Sequence, residues 1–263
     1  MLLCIDIGNS NITLGLFRDG EESPFYSGKL SAKVSRSADE YAVALSGLLA
    51  LHNVKTEEIT GCVIGSVVPA LTGLLQSALK MLSLPPALTI GPGVKTGFGI
   101  RIDDPTQLGA DLVANTAAAI AAYGAPLIVI DAGTATTISL VDEQKYYRGA
   151  CILPGLRASA ELLKESTALL PSVSLSPLTE EEPAIGNNSA ECIEQGLLWG
   201  NAILVDGFID KYRAMLTDTP TVVATGGSAP LFLDGCQNEI RYDPDLTLKG
   251  LRRIWQLSRN RKK

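Results

Sequence analysis

Two stretches of this chain repeat one pattern of apolar and polar positions. The first is Leu2-Leu3-Cys4-Ile5-Asp6-Ile7-Gly8-Asn9-Ser10-Asn11-Ile12-Thr13-Leu14-Gly15. The second is Leu127-Ile128-Val129-Ile130-Asp131-Ala132-Gly133-Thr134-Ala135-Thr136-Thr137-Ile138-Ser139-Leu140. Each is an apolar β-type run, then Asp-x-Gly with small polar residues, then a second β-type run. The pattern predicts a strand, a tight turn carrying a carboxylate, and a return strand. Around the first copy, residues 2–32 predict three antiparallel strands. Residues 37–52 have helical spacing, 61–68 read as a buried strand, 70–82 as a helix and 88–90 as a short strand. A glycine-rich loop covers 91–97, and an alanine-rich helix is predicted from Pro105 to about Tyr123. The second half repeats the order, with strands over 127–130, 136–142 and 147–153 and helices around 155–164 and 189–215. A strand over 221–225 follows, then a helix after Pro230 and a last helix over 246–256. Residues 170–186, rich in Pro, Ser and Glu, read as a loop.

The duplication favours two domains of about 120 residues over one large domain. The expected boundaries are 1–123 and 124–263, with the last helix free to pack back on the first domain. Interleaved strands and helices make this an α/β chain with two layers hinged about a cleft. Composition is that of a globular protein, 46% hydrophobic and 19% charged. The formal net charge of -6 argues against a nucleic-acid surface, which needs a basic face. Cys4, Cys62, Cys151, Cys192 and Cys236 form no C-x-x-C pair, and most lie in apolar runs. They read as buried reduced thiols of a cytoplasmic protein. His52 is the only histidine, so a zinc site is not expected. Met1 leads straight into a strand without a signal peptide. The longest apolar stretch, 112–130, is interrupted by Asn115, Thr116, Tyr123, Gly124 and Pro126, which argues against a membrane span. Arg252, Arg253, Arg259, Arg261, Lys262 and Lys263 read as a solvated helix end and tail.

The repeated turn has chemistry suited to phosphate. Glycine lets backbone approach a ligand, and turn amides and hydroxyls can hold phosphate oxygens. The Asp can hold a hydrated cation. Two such turns facing each other would grip a nucleotide triphosphate from two sides. The Walker pattern, the dinucleotide fingerprint and G-x-S-x-G do not occur. A nucleotide would therefore be handled through the paired turns.

An ordered set of motifs carries a family resemblance. Asp6-x-Gly8-Asn9-x-Asn11, Gly109-Ala110-Asp111, Asp131-x-Gly133-Thr134-Ala135-Thr136, Pro154-Gly155-Leu156 and Thr225-Gly226-Gly227 occur in sequence. With 91–97 and 246–251, they resemble the type III pantothenate kinases over nearly the full length. The resemblance implies an actin-like, sugar-kinase-type ATPase fold, with two ribonuclease-H-like domains around a cleft. It implies a cytoplasmic homodimer with its acceptor site near the subunit interface. It also implies ATP, a divalent cation such as Mg2+, a monovalent cation such as K+ or NH4+, and transfer of the γ-phosphoryl group to the hydroxyl of pantothenate. That transfer is the first step toward coenzyme A.

Residue roles follow from the resemblance. Asp6 with Gly8, Asn9 and Asn11 faces the triphosphate and holds magnesium; without it, Asp6 reads as a turn cap. Asp131 follows a buried strand and needs a partner, for which the resemblance implies the monovalent cation. Gly133, Thr134, Thr136 and Thr137 offer amides and hydroxyls to phosphate, or are ordinary strand residues. Asp111 is the base for the acceptor hydroxyl, or a first-turn acid stabilised by the helix dipole. Gly226 and Gly227 let the adenosine approach the backbone. The acceptor side comprises Ile102, Gly109, Ala110, Leu112 and Ser189.

Departures from the family fall on that side. Ile102 stands where Tyr is usual, Leu112 where Arg is usual, and Gly186-Asn187-Asn188-Ser189 where Gly-Lys-x-Thr is usual. Leu112 removes a bidentate partner for a carboxylate. Either pantothenate is held by other residues, such as Arg101, Lys95 or Arg157, or the acceptor is a less anionic hydroxyl compound. A non-catalytic ATP-binding sensor is a further reading, opposed by the retention of Asp6, Asp111 and Asp131. A transcriptional regulator lacks a helix-turn-helix segment before Asp6. The alanines between Gln107 and Tyr123 suit either a dimer seam or a buried helix of one chain.

Overall fold

The computed structural model describes residues 1–33, 35–179 and 183–259. Arg261, Lys262 and Lys263, with part of the 170–186 loop, lie outside the described residues. The chain forms two compact units. The first contains Met1–Phe98, Asp103–Ala121 and Asp245–Lys263; the second contains Gly99–Ile102 and Ala122–Pro244.

The first unit is built on β1 (Leu2–Ile7), β2 (Asn11–Phe17), β3 (Tyr26–Ser31), β4 (Gly61–Ser66) and β5 (Ala87–Thr89). Their order across the sheet is β3-β2-β1-β4-β5. Central β1 pairs antiparallel with β2 and parallel with β4. Successive strand residues point to opposite faces, so β1 divides its side chains between two cores. Leu3, Ile5 and Ile7 enter one core with Tyr41 and Leu45 of α1 (Ala38–Leu51) and Leu71 and Leu75 of α2 (Pro69–Met81). Leu2 and Cys4 enter the other. That second core joins α3 (Ala110–Tyr123) to α6 (Leu246–Arg259) through Val113, Ala114, Leu251 and Ile254. Ser37 starts α1 with a reciprocal capping box to Glu40.

Small residues let α3 and α6 approach closely. A Cβ at Gly250 would run into the Ala114 backbone, and one at Gly65 would meet Leu251 at 2.8 Å. Part of the alanine face of α3 is thus used inside the chain. The helix expected from Pro105 starts only at Ala110. Pro105–Gln107 is a single 3-10 turn, capped by Asp104, which accepts from the Thr106 amide at 2.9 Å and the Thr106 hydroxyl at 2.6 Å; the extended backbone of Leu108 then separates it from α3.

The second unit repeats the plan with β7 (Leu127–Ala132), β8 (Ala135–Val141), β9 (Tyr146–Pro154), β10 (Thr221–Thr225) and β11 (Arg241–Tyr242). A sixth strand, β6 (Gly99–Ile100), comes from the first half of the chain and gives the order β11-β10-β7-β8-β9-β6. One sheet face, carrying Ile128, Ile130, Ile138 and Leu140, packs with Leu156 of α4 (Leu156–Ser166) and with Ala202, Val205 and Ile209 of α5 (Ser189–Arg213). No helix follows Pro230. Two 3-10 turns, Ala229–Leu231 and Leu233–Gly235, stand there instead, and Phe232 between them is fully buried. Cys4 and Cys62 are buried, whereas Cys192 is exposed, against the expectation that most thiols lie inside. Among the described residues no helix is long and apolar enough to cross a membrane.

Glu143, in the β8–β9 turn, ties down the segment after α5. Its Oε1 accepts from the Thr217 amide at 2.7 Å, the Thr217 hydroxyl at 2.9 Å and the Asp218 amide at 3.3 Å. Its own backbone amide, then that of Thr217, with the Thr217 hydroxyl and the Asp218 amide, hold its pKa down to about 2. A depressed folded-state pKa stabilises above the unfolded carboxylate range, and that stability is lost as pH falls toward 2. Glu143→Gln is expected to lower the Tm at pH 7. The gap from wild type should close between about pH 4.5 and pH 2 in thermal melts across that range.

Candidate active site

Asp6 occupies the carboxyl end of β1, between two strands. It lies opposite Thr13 of β2 and beside Gly65 of β4. The turn after it is closed by the Gly8 amide donating to the Asn11 carbonyl at 3.0 Å, which leaves Asn9 and Ser10 at the tip. Asn9 and Asn11 are exposed. Parity puts Asp6 on the same face as Leu2 and Cys4, the face that α3 covers. A side chain at Gly65 would begin 3.8 Å from Asp6 Oδ1 and 3.7 Å from Ala110 Cβ. One glycine therefore separates the Asp6 carboxylate from the start of α3. Asp111 lies in the first turn of that helix. Its Oδ1 accepts from the Leu112 amide at 2.8 Å and occupies the space where a Cβ on Gly109 would stand. Gly109, Ala110 and Asp111 thus act together: the glycine admits the carboxylate, and buried Ala110 packs the helix start against the sheet.

Asp131 repeats the arrangement on β7, between Thr137 of β8 and Thr225 of β10. This hairpin is one residue tighter. Gly133 N–H donates to the Ala135 carbonyl at 3.0 Å, leaving only exposed Thr134 at the tip. Two other sequence motifs close on this turn. The Gly155 amide donates to the Thr134 carbonyl at 3.2 Å, and a Cβ on Gly155 would strike the Gly133 and Thr134 carbonyls. On the other side, the Ser228 amide donates to the Ala132 carbonyl at 2.9 Å. Gly226, at φ +92, leaves no room for a Cβ against the Ala132 backbone. Asp131, Gly133, Thr134, Pro154-Gly155 and Gly226-Gly227 therefore form one corner of the second unit.

The threonines divide by strand parity. Thr137 is opposite Asp131 and shares its face; Thr136 is opposite Ala132, on the other face, and is 1% exposed. Both hydroxyls are buried without a hydrogen-bond partner among the described residues. Such groups cost stability unless something else meets them. Thr137 and Thr13, the cross-strand partners of the two aspartates, carry the pairing that the sequence repeat obscured. Their spacings from the Asp differ by one residue, so only the hydrogen-bond register shows them as equivalent.

The acceptor-side residues occupy several places. Gly109, Ala110 and Leu112 stand at the start of α3, and Ile102 ends the stretch that carries β6. Ser189 opens α5 and lines a cavity of about 630 Å³ with Leu163, Leu170, Gly186, Asn187 and Cys192. That cavity shares no lining residue with the Asp131 corner. Replacing Gly226 with Ala forces a positive φ on an L side chain and drives its Cβ into Ala132. The expected cost is about 1–3 kcal/mol, read as a lowered Tm in a thermal melt.

Comparison with known proteins places this geometry. The sequence profile of the family described as type III pantothenate kinase matches residues 2–211. A type III pantothenate kinase from Brevibacillus brevis is 39% identical over 256 residues, covering 97% of this chain and 98% of the relative. Two solved structures share the fold. One is the activator of 2-hydroxyisocaproyl-CoA dehydratase from Clostridium difficile with bound ADPNP, at TM-score 0.57 and 12% identity, covering 99% of this chain and 94% of that one. The other is an inorganic polyphosphate/ATP-glucomannokinase from Arthrobacter sp. strain KM, at TM-score 0.50 and 15% identity, covering 99% and 98%. Those likenesses show an actin-like, sugar-kinase-type ATPase fold, and the family match over most of the chain goes further: the chain belongs to the type III pantothenate kinase family.

Proposed function

We propose that this protein is an ATP-dependent kinase that phosphorylates the hydroxyl of pantothenate, the first step toward coenzyme A. The observation that carries this reading is the Asp6–Gly65–Ala110 corner. It brings a strand-end carboxylate suited to a cation close to a helix start bearing a second carboxylate. Phosphoryl transfer needs in-line positioning and screening of charge more than covalent chemistry. Asp111 is suited to accept the hydroxyl proton. The Leu112 amide fixes Oδ1 and leaves Oδ2 for the acceptor.

Among the described residues no three His, Cys, Asp or Glu side chains group as a self-contained metal site. Mg2+ keeps waters and is shared between one or two carboxylates and the substrate's phosphates. Asp6 would hold it, and the amides of the Gly8 and Gly133 turns, with Asn9, Asn11 and Thr134, would meet phosphate oxygens. Gly226 and Gly227 would admit the adenosine. Asp131 with Thr137 would hold a monovalent cation such as K+ or NH4+; the orphaned Thr137 hydroxyl beside a carboxylate fits that use. These cations would screen the charge of the phosphates. A cytoplasmic homodimer accompanies this reading.

The neutral side chains of Ile102, Leu112 and Ser189 favour a second reading, a kinase of the same family acting on a less anionic alcohol. ADP release with pantothenate, in potassium and in sodium buffer, tests the first. Turnover with pantothenate, faster in potassium, is expected; its absence beside efficient turnover of a neutral alcohol selects the second. Asp111→Asn should lower kcat by about a hundredfold or more while ATP affinity stays within about twofold. Thr137→Val should leave the free protein as stable or more so, since it removes an unpaired hydroxyl. It should weaken ATP binding in potassium by about tenfold, measured by calorimetry.

A further inference from the structure

The second sheet carries a strand with no counterpart in the first. β9 and β3 hold equivalent places, each beside the return strand of an Asp hairpin, but β3 is an edge and β9 is not. Gly99–Ile102 leaves the first unit's portion of the chain and adds β6 to the edge of β9. The Gly99 amide donates to the Lys145 carbonyl at 3.0 Å and the Arg101 amide to the Tyr147 carbonyl at 2.9 Å. Gly99 is required there, because the Tyr146 ring occupies the space of a Cβ. The same ring carries the Arg101 guanidinium, 3.6 Å from its centroid. Arg101 is exposed, and among the described residues it joins no ion pair.

Among the arginines that lie over rings in the described residues, Arg101 makes the shortest approach. The ring holds the guanidinium in place, and a guanidinium carries its N–H donors in the fork that matches a carboxylate. The backbone bond to Tyr147 fixes the stem. Ile102, the next residue, belongs to the acceptor side of the proposed reaction. The other residues there, Leu112 and Ser189, are neutral, whereas pantothenate carries a carboxylate. Lys95 and Arg157 are exposed, and neither has a ring beneath it among the described residues.

We infer that Arg101, held over the Tyr146 ring, is the residue that recognises the carboxylate of the acceptor, and that Tyr146 is its positioning residue. The inference rests on the pantothenate-kinase reading. It makes acceptor specificity a property of the β6–β9 edge. Binding here is an ion-paired, bidentate contact.

The test compares pantothenate with pantothenol, in which an alcohol replaces the carboxylate. Wild-type protein should prefer pantothenate. Arg101→Gln should raise the KM for pantothenate by about ten- to a hundredfold, with kcat, the KM for ATP and the KM for pantothenol little changed. Arg101→Lys should fall between, because an ammonium lacks the planar fork. Tyr146→Leu should raise the pantothenate KM while Tyr146→Phe, which keeps the ring, restores it. A structural defect would instead move every substrate together and lower the Tm. A pantothenate-to-pantothenol preference that survives Arg101→Gln overturns the inference and leaves the kinase reading standing. Wild-type protein that phosphorylates neither compound overturns both.

Discussion

In each sheet, hydrogen bonding on both sides of a central strand fixes the place of a carboxylate at that strand's end. β1 and β7 are central, antiparallel to one neighbour and parallel to the other. A strand so placed cannot slip by one residue without turning its apolar side chains to the wrong face. The register therefore fixes where Asp6 and Asp131 stand. It also fixes their neighbours: Thr13 and Gly65 around Asp6, Thr137 and Thr225 around Asp131.

The two copies share this frame and differ in what adjoins it. Beside Asp6 the parallel neighbour is Gly65, and the room it leaves is shared with Ala110 at the start of α3. The first carboxylate is thus coupled to the helix that bears Asp111. Beside Asp131 the parallel neighbour is Thr225, buried at 2% exposure, and the turn is backed by Gly155 and Gly226. A duplicated hairpin thus adjoins a helix start in one unit and is backed by packed backbone in the other.

Glycine carries much of this architecture, for reasons of contact more than flexibility. Gly65 and Gly250 admit α6, Gly109 admits a carboxylate, and Gly99 admits an aromatic ring. At Gly226 alone among the site glycines, a positive φ and a close approach coincide.

The repeated Asp-x-Gly pattern, the apolar alternation of β1 and β7 and the spacing of α1, α5 and α6 were legible in the residues, because each is a local periodicity with a strong burial signal. The α/β class and the strand-end positions of Asp6 and Asp131 came with them. Other features were not local. Extended backbone at Leu108 parted the turn at Pro105 from α3, and a buried Phe232 stood where a helix was expected after Pro230. β6 and β11, with two residues each, have no period to read. The sequence by itself determined which residues could bear charge at a strand end and which must face a core. Only the tertiary structure decided that Thr137 rather than Thr136 accompanies Asp131, that Gly65 joins Asp6 to α3, and that Arg101 lies on Tyr146. These depend on hydrogen-bond register and on contacts between segments remote in the chain, which no pattern along one strand encodes.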